Sequence, residues 1–327
     1  MKSLFESVVR GVGSMTSPGG ANAPLTVLLY HRVLGEPDGL SPGEPCAAQF
    51  DAQIAILSRI FRVLPLDEAM SRLADGTLPS RALCVTFDDG YLDNLEVALP
   101  ILQRYGLVAT FFIASGLING GRMMHDTVIE TVRRLPAPMV DLGWMGLGTR
   151  VIGDVASRLV LIDEIIRKVK YLPFAERSET CRRLASMVDG PLPNNLMMSS
   201  EDVRALKRAG MRIGAHTHEH PILSKLDPLE AKAQIIKSRE VLADIVGSAP
   251  SMFAYPNGKP GLDYAEEHVA MVKEAGFSSA VSVAFGTASR TSDHYQIPRF
   301  CPWDRDPKGL VLRLIGHPMR HKVAAHV

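Results

Sequence analysis

The sequence predicts an α/β fold built as one unit, and two observations support this prediction. Short apolar segments rich in β-branched residues alternate with longer segments in which apolar residues recur every three or four positions. The short segments are continuously apolar, which is typical of parallel strands covered on both faces. The alternation runs along the whole chain, so one α/β domain is favoured over two.

The individual elements follow from this pattern. The predicted strands are LTVLLY (25–30), FRVLPL (61–66), ALCVTF (82–87), VATFFIA (108–114), MRIGAH (211–216), MFAYP (252–256) and SSAVSV (278–283). The predicted helices between them span 47–60, 66–76, 92–106, 201–210, 227–247 and 264–276, and several end at a glycine that can adopt the left-handed conformation. Asp227 followed by Pro228 marks the best-defined helix start.

One segment interrupts the alternation. From about residue 120 to 195 no strand is predicted, whereas 125–135, 154–170 and 174–188 have helical periodicity. We therefore expect a helical insertion between two strands, which could cover one rim of a site. Residues 1–24 are predicted to be a lead-in, either flexible or an amphipathic helix, and residues 25–327 a single domain.

Composition excludes several classes of protein. The 327 residues carry 36 Lys+Arg and 35 Asp+Glu, a net charge of +1, so nucleic-acid binding is disfavoured. No stretch approaches the roughly 20 apolar residues of a membrane-spanning helix. Glu6 and Arg10 interrupt any apolar core of a secretory signal. We therefore expect the cytoplasm or the cytoplasmic face of the membrane, with an extracytoplasmic location left open.

Two aspartates follow the strand at 82–87. Asp88 and Asp89 stand at the carboxyl end of this strand, the edge at which α/β folds place ligands. Adjacent carboxylates repel each other unless a cation or hydrogen-bond donors stabilise them, so one metal ligand beside one free base is a natural use. A plain turn closed by Gly90 is the alternative. Asp93, farther along, is predicted as a helix N-cap.

A histidine cluster follows the strand at 211–216. His216, His218 and His220 fall within five residues, and neutral imidazoles at a strand end suit a divalent transition metal. The sequence around these histidines matches neither the HExxH nor the HxHxDH metal-binding motif. A His-x-His of the amidohydrolase kind should end the first strand, whereas this one lies two-thirds of the way along the chain. The four cysteines are far apart and are expected to be reduced thiols.

Together, TFDDG (86–90) and the later H-T-x-x-H-P (216–221) closely resemble the polysaccharide deacetylases of the NodB-homology, or carbohydrate esterase 4, type. The resemblance runs from about 25 to 300, and LLYHRV (28–33) is similar to the branch that makes or trims exopolysaccharides. It implies a distorted (β/α)7 barrel with the insertion at 120–195. It also implies Asp88 as catalytic base and Asp89, His216 and His220 as metal ligands.

The chain departs from the family at the R-x-P-Y segment, which corresponds here to 254–258. Asn257 takes the position of the backbone donor to the oxyanion, and the arginine that braces the catalytic aspartate is missing. We predict that Arg299, at a late strand end, replaces it. A surface or structural ion pair is the alternative role for Arg299.

Further positions complete the predicted site. His31 ends the first strand and is predicted to protonate the departing amine, ahead of His317 in a late L-x-H-like segment. Tyr255 and Trp303 could offer stacking faces to sugars, with ordinary packing as the alternative. Asp126 is predicted as the N-cap of the first inserted helix.

The resemblance implies a metal-dependent N-deacetylase acting on N-acetylhexosamine units of a polysaccharide or its precursor. Zinc is the expected ion, although the ligand types also suit nickel, cobalt or iron. The expected partners are the N-acetylated glycan and the machinery of polysaccharide biosynthesis. A metal amidase acting on a small or peptidoglycan-derived amide, and a silent carbohydrate-binding component of an assembly complex, are the alternatives.

Overall fold

The computed structural model describes residues 4–316, in which strands and helices alternate. The strands are β1 (Thr26–Tyr30), β2 (Arg62–Val63), β3 (Ala82–Phe87), β4 (Thr110–Ile113), β5 (Met139–Leu142), β6 (Gly148–Val151), β7 (Arg212–Ala215), β8 (Met252–Ala254) and β9 (Ser279–Val281). The α-helices are α1 (Leu4–Thr16), α2 (Ala47–Ile60), α3 (Leu66–Asp75), α4 (Leu99–Arg104), α5 (Met124–Arg134), α6 (Val155–Val169), α7 (Phe174–Ala185), α8 (Ser200–Arg208), α9 (Pro228–Val246), α10 (Glu266–Glu274) and α11 (Pro307–Gly316).

A parallel sheet forms the centre of the fold. Its strands follow the order β1-β3-β4-β7-β8-β9, and β2 pairs with the beginning of β3. The sheet is curled into a half-barrel with helices around it, so the predicted distorted (β/α)7 barrel is confirmed. Every residue of β1, β3, β4, β8 and β9 is buried, which explains why these segments are continuously apolar.

A short extended segment, residues 297–300, lies between the first and last strands of the sheet. Ile297 pairs with Val281 of β9, and Phe300 pairs with Leu28 of β1. The Phe300 amide donates to the Val27 carbonyl at 2.8 Å, and the Leu29 amide donates to the Phe300 carbonyl at 2.8 Å. This segment therefore joins the two edges of the sheet and carries Arg299 to the barrel.

The insertion lies between β4 and β7 and has a hydrophobic core of its own. Val128, Leu142, Ile165 and Leu184 are among the buried residues of this core. The insertion is mainly helical, as predicted, but β5 and β6 also form an antiparallel hairpin that was not predicted. Each hairpin strand has only four residues, too few for alternation of polarity to stand out from neighbouring helical patterns.

The chain ends of the described region pack against each other. Helix α1 contacts α2 and α11, burying Val9 and leaving Leu4 and Met15 exposed, so this part of the lead-in is an amphipathic helix. Asp227 caps α9, because its carboxylate accepts hydrogen bonds from the amides of Leu229 and Glu230. None of the helices within residues 4–316 has the length and hydropathy required to span a membrane.

Candidate metal and catalytic centre

Asp89, His216 and His220 form a cluster at the carboxyl edge of the sheet. Asp89 follows β3 and the two histidines follow β7, so parallel packing brings them to the same edge. One potential ligand atom from each residue lies within 4.8 Å of the other two. Asp89 Oδ1 is 3.5 Å from His216 Nε2 and 3.4 Å from His220 Nε2. One carboxylate and two imidazoles, converging in this way, fit a divalent transition metal.

The backbone around this cluster adopts unusual angles. Asp89, Thr217 and His220 have φ values of 77°, 60° and 54°, in the left-handed region that residues with a Cβ rarely occupy. Asn257, which lines a cavity together with Asp89 and His220, has a φ of 57°. Such conformations persist only where surrounding contacts fix them, and they concentrate at functional sites.

A hydrogen bond orients His216, and burial keeps His220 neutral. His216 Nδ1 lies 2.7 Å from the Ala254 carbonyl, so Nδ1 carries the proton and donates it there, while Nε2 faces Asp89. Burial lowers the pKa of His220 to about 3, and the opposing Asp89 charge does not offset it. His220 is therefore neutral near pH 7, the form that binds metals. The buried guanidinium of Arg177, on α7 of the insertion, donates to the His220 carbonyl at 3.1 Å.

Asp88 lies beside the cluster and is paired with Arg299. Arg299 Nη1 donates to Asp88 Oδ1 at 2.8 Å and Nη2 donates to Oδ2 at 2.7 Å. The arginine is held in turn by its Nε, which donates to the Ser282 carbonyl at 2.9 Å. Burial alone would raise the pKa of Asp88, but the Arg299 charge, together with His216, holds this pKa below its ordinary value. Asp88 is thus an ionised carboxylate at neutral pH.

The structure therefore places Arg299 where the missing family arginine would be needed. Ala254, at the corresponding position of β8, has no side chain that could reach Asp88. Arg299 comes instead from the segment that joins β9 to β1, and its side chain is fully buried.

A cavity of about 300 Å³ opens over this centre. It brings together the sequence-predicted residues His31, Asp88, Asp89, His216, His220 and Asn257. His31 follows β1, and its carbonyl accepts a hydrogen bond from Asn94 Nδ2 at 2.8 Å. These six residues come from four separate parts of the chain, which meet in one cavity.

The two aromatic residues predicted to bind sugar have opposite environments. Tyr255 is only 1% exposed, and its ring stacks on Tyr264 with centroids 3.8 Å apart. The prediction that Tyr255 offers a stacking face is therefore wrong, because both rings belong to the hydrophobic core. Trp303 is 74% exposed and lines a small cavity that also contains His31.

The two predicted helix caps have different outcomes. Asp93 stands at the N-cap position of the helical turn at 94–98, as predicted, but its carboxylate makes no capping hydrogen bond and instead accepts hydrogen bonds from Arg32 Nε at 2.8 Å and from the Val33 amide at 3.2 Å. The prediction for Asp126 is wrong, because Asp126 lies inside α5 and Met123 precedes the helix. Both acids are drawn to Arg32, a tertiary contact that local sequence does not show. His317 lies outside the described residues.

Asp126 is a site residue that the sequence analysis interpreted as a helix N-cap. It lines the same cavity as Asp88, its Oδ1 is 3.7 Å from Arg32 Nη1, and its buried Oδ2 has no hydrogen-bond partner among the described residues. Burial raises the pKa of Asp126 to about 7, although Arg32 and a hydrogen bond from Tyr91 oppose this shift. Its place next to His125 at the start of the insertion was the available signal.

The fold and site define a class of enzyme, and comparison with a family model agrees. The model described as polysaccharide deacetylase matches residues 75–144 and 176–280, more than half of the chain. The chain therefore belongs to the polysaccharide deacetylase family, the NodB-homology or carbohydrate esterase 4 enzymes, which are N-deacetylase hydrolases. The predicted family and enzyme class are confirmed. The gap between the two matched blocks lies within the insertion.

Individual relatives are distant. The Bacillus subtilis (strain 168) protein that carries the name "Putative polysaccharide deacetylase YxkH" is 22% identical over 279 residues, which are 85% of this chain and 71% of the relative. Peptidoglycan-N-acetylglucosamine deacetylase of Bacillus cereus is 39% identical over 57 residues, 17% of this chain and 21% of the relative.

Solved structures show the same fold. The Streptococcus pyogenes deacetylase PplD, solved with acetate, has a TM-score of 0.59 at 17% identity, covering 89% of this chain and 98% of its own. IcaB from Ammonifex degensii has a TM-score of 0.57 at 19% identity, covering 90% of this chain and 98% of its own.

Proposed function

We propose that this chain is a metal-dependent N-deacetylase that hydrolyses the acetamide of N-acetylhexosamine units in a polysaccharide, an exopolysaccharide of the YHRV-containing branch or its precursor. The observation that carries this proposal is the ionised Asp88, fixed by Arg299 beside the Asp89-His216-His220 cluster. A binding protein would have no use for a braced base beside a complete ligand set. This arrangement therefore favours an enzyme over the silent binding component.

The residues divide the chemistry among them. Asp89, His216 and His220 would hold the metal, with zinc as the proposed ion and nickel, cobalt or iron as alternatives. The bound ion would polarise the acetamide carbonyl and lower the pKa of water. Asp88 would accept the proton of the attacking water on a carboxylate oxygen.

Two further groups would act on the acetamide itself. The backbone N–H of Asn257 would donate to the oxyanion that develops on the carbonyl oxygen, and His31 would protonate the departing amine. Both residues line the cavity above Asp88. Trp303, exposed near His31, would stack on a neighbouring sugar.

The biological setting follows from the substrate. The partners we propose are the N-acetylated glycan and the polysaccharide biosynthesis machinery, with no role for nucleic acid. The proposed location is the cytoplasm or the cytoplasmic face of the membrane, with an extracytoplasmic location as the alternative.

The deciding experiment measures acetate release by the zinc-loaded full chain. The panel contains N-acetylglucosamine oligosaccharides, peptidoglycan fragments and simple acetamides. We expect oligosaccharides to be preferred, and chelation to abolish the activity. Preference for simple amides would instead favour the metal amidase. If no substrate released acetate, the proposed activity would be contradicted.

A base variant tests the mechanism. Asp88→Asn should lower kcat by about 10²- to 10⁴-fold, the usual contribution of a general base, while zinc content by elemental analysis stays at the wild-type level. Asp244→Asn, an exposed aspartate on α9, is the matched control and should keep full activity. Asp88→Asn that retains wild-type kcat with zinc bound would remove Asp88 from the mechanism.

A further inference from the structure

A second cavity adjoins the catalytic one and is formed largely by the insertion. Its volume is about 220 Å³, and it shares Met123, His125, His220 and Asn257 with the cavity over the metal cluster. A substrate group seated in it would therefore lie next to the reacting acetamide. The proposed chemistry assigns no role to this space.

Three cations line this second cavity: Arg122, which precedes α5, Lys170, at the end of α6, and Arg177, on α7. No carboxylate in residues 4–316 lies within ion-pair distance of any of the three. Asp126 attracts Arg122, and Asp263 attracts Lys170, only from farther away. Burial lowers the pKa of each of the three groups, as expected where positive charges lack a close anion.

The other ionisable groups of the cavity do not neutralise these charges. Glu219 contributes one exposed carboxylate, which accepts a hydrogen bond from Gln234 Nε2 at 2.7 Å, so the lining has one negative charge against three positive ones. Burial lowers the pKa of His125 to about 4, so His125 is neutral near pH 7. The cavity is consequently positive, whereas the adjoining catalytic cavity contains the acids Asp88, Asp89 and Asp126.

The two guanidinium groups are held in place with most of their donors unused. Arg122 donates from Nε to Thr127 Oγ1 at 3.0 Å and from Nη1 to the Pro193 carbonyl at 2.8 Å. Arg177 donates from Nη2 to the His220 carbonyl and packs over the Phe174 ring. Since a guanidinium carries five N–H donors, each group keeps donors available for a ligand.

Some other arginines of the insertion do pair with carboxylates. Elsewhere in the insertion Arg133 pairs with Asp38, and Arg150 pairs with Glu164 at 2.7 Å. Partly buried cations without a counter-ion are energetically costly, so a cluster of three requires an explanation. Arginine and lysine side chains together match the oxygens of phosphates and carboxylates.

We propose that this cavity binds an anionic group of the substrate, a phosphate or a carboxylate attached next to the N-acetylhexosamine unit being deacetylated. This inference rests on the proposed function, because it places the anion relative to the acetamide at the metal cluster. It predicts a preference for acidic over neutral N-acetylated glycans. The insertion then selects the substrate in addition to covering the site.

Binding of an anion can be tested without catalysis. Pyrophosphate is titrated into the chelator-treated full chain, in which it cannot ligate zinc, and the melting temperature and heat of binding are recorded. We expect saturable binding that weakens about tenfold in Lys170→Met and in Arg122→Gln, as for the loss of one charge-assisted hydrogen bond. Arg167→Gln, which removes an exposed charge from α6, is the matched control. Equal weakening in the control would overturn the proposal.

Kinetics then identify the source of the anion. The zinc-loaded enzyme is assayed on three matched oligosaccharides: neutral, phosphorylated and uronate-containing. We expect a lower KM for at least one acidic substrate, a rise of about tenfold in that KM in Lys170→Met, and little change for the neutral substrate. The acidic substrate whose KM is lower in the wild type and rises in Lys170→Met shows whether the bound anion is a phosphate or a carboxylate.

Two outcomes would overturn the inference while leaving the proposed function intact. One is equal KM values for all three substrates. The other is that Lys170→Met changes only the inhibition by free acetate and no KM value, which would indicate that the cavity binds the product. If no glycan is deacetylated, the proposed function fails, and pyrophosphate binding still reports on the cavity independently. Arg177 is left out of these variants because it contacts the His220 carbonyl.

Discussion

Arg299 and Asp88 are 211 residues apart in the chain and form a buried two-bond ion pair, with nitrogen-to-oxygen distances of 2.8 and 2.7 Å. Asp88 directly follows β3, whereas Arg299 lies on the segment that joins the two edges of the sheet. The planar guanidinium fixes the orientation of the carboxylate as well as its charge. The proposed base is thus held by the segment that connects β9 to β1.

Removing one partner of this pair should be costly. Arg299→Met leaves Asp88 as a buried, unpaired carboxylate, so we expect the free energy of unfolding to fall by about 3–5 kcal/mol. We also expect kcat to fall by about 10- to 100-fold, as for the loss of a residue that orients an active group. Urea unfolding and acetate release measure the two effects.

A second variant separates charge from packing in this experiment. Arg299→Met combined with Asp88→Asn should regain most of the lost stability without regaining activity, because the uncompensated charge is gone. Arg313→Met, which breaks a partly exposed pair with Asp304, should cost about 1 kcal/mol or less. An Arg299→Met variant with wild-type stability and activity would show that the ion pair does not position Asp88.

His31 is predicted to protonate the departing amine. In His31→Ala the alkaline limb of the pH dependence of kcat/KM should disappear, because that limb reports the loss of the general acid's proton. His218, which hydrogen-bonds to Ser115 at 2.9 Å, is the matched control, and His218→Ala should keep the limb. An unchanged limb in His31→Ala would assign the proton to another group.

Asp126 should destabilise the free protein at alkaline pH. Its pKa is about 7 in the folded chain against 3.8 for the ordinary carboxyl, so its contribution is fully present below pH 4 and is lost as pH rises through 7. Arg32, Tyr91, Asp89 and, from farther away, Arg122 are charged or titratable groups that interact with it. Asp126→Asn should therefore raise the free energy of unfolding at pH 8 by on the order of 2 kcal/mol.

The pH dependence is the decisive readout for Asp126. The gain in Asp126→Asn should vanish toward pH 4, which denaturant unfolding at both pH values would reveal. Asp163→Asn, an exposed aspartate of α6, should change stability by less than about 0.5 kcal/mol at either pH. An equal gain for Asp126→Asn at pH 4 and pH 8 would contradict ionisation as its cause.

Trp303 and Tyr255 should respond differently to substitution. Trp303→Ala removes an exposed ring near His31, and KM for an oligosaccharide should rise about three- to tenfold with kcat nearly unchanged. Tyr255→Phe keeps a buried ring and should leave KM unchanged. Matched KM values for wild type and Trp303→Ala would remove Trp303 from substrate binding.

Much of the site could be predicted because its residues are strand ends. His31, Asp88, Asp89 and His216 each follow a continuous apolar strand, and parallel strands must bring their carboxyl ends to one edge. The helices around the sheet and those of the insertion could be predicted because their apolar residues recur every three or four positions. The hairpin of β5 and β6 was missed because its strands are short.

The sequence by itself determined the α/β fold, the family, and the residues of the proposed metal cluster, since local patterns and strand order specify them. The tertiary structure decided what depends on packing between distant segments. It paired Arg299 with Asp88, buried Tyr255 against Tyr264, and turned Asp126 from a predicted cap into a residue of the catalytic cavity. It also gathered three unpaired cations of the insertion around one cavity, because helix packing rather than sequence spacing sets which side chains face each other.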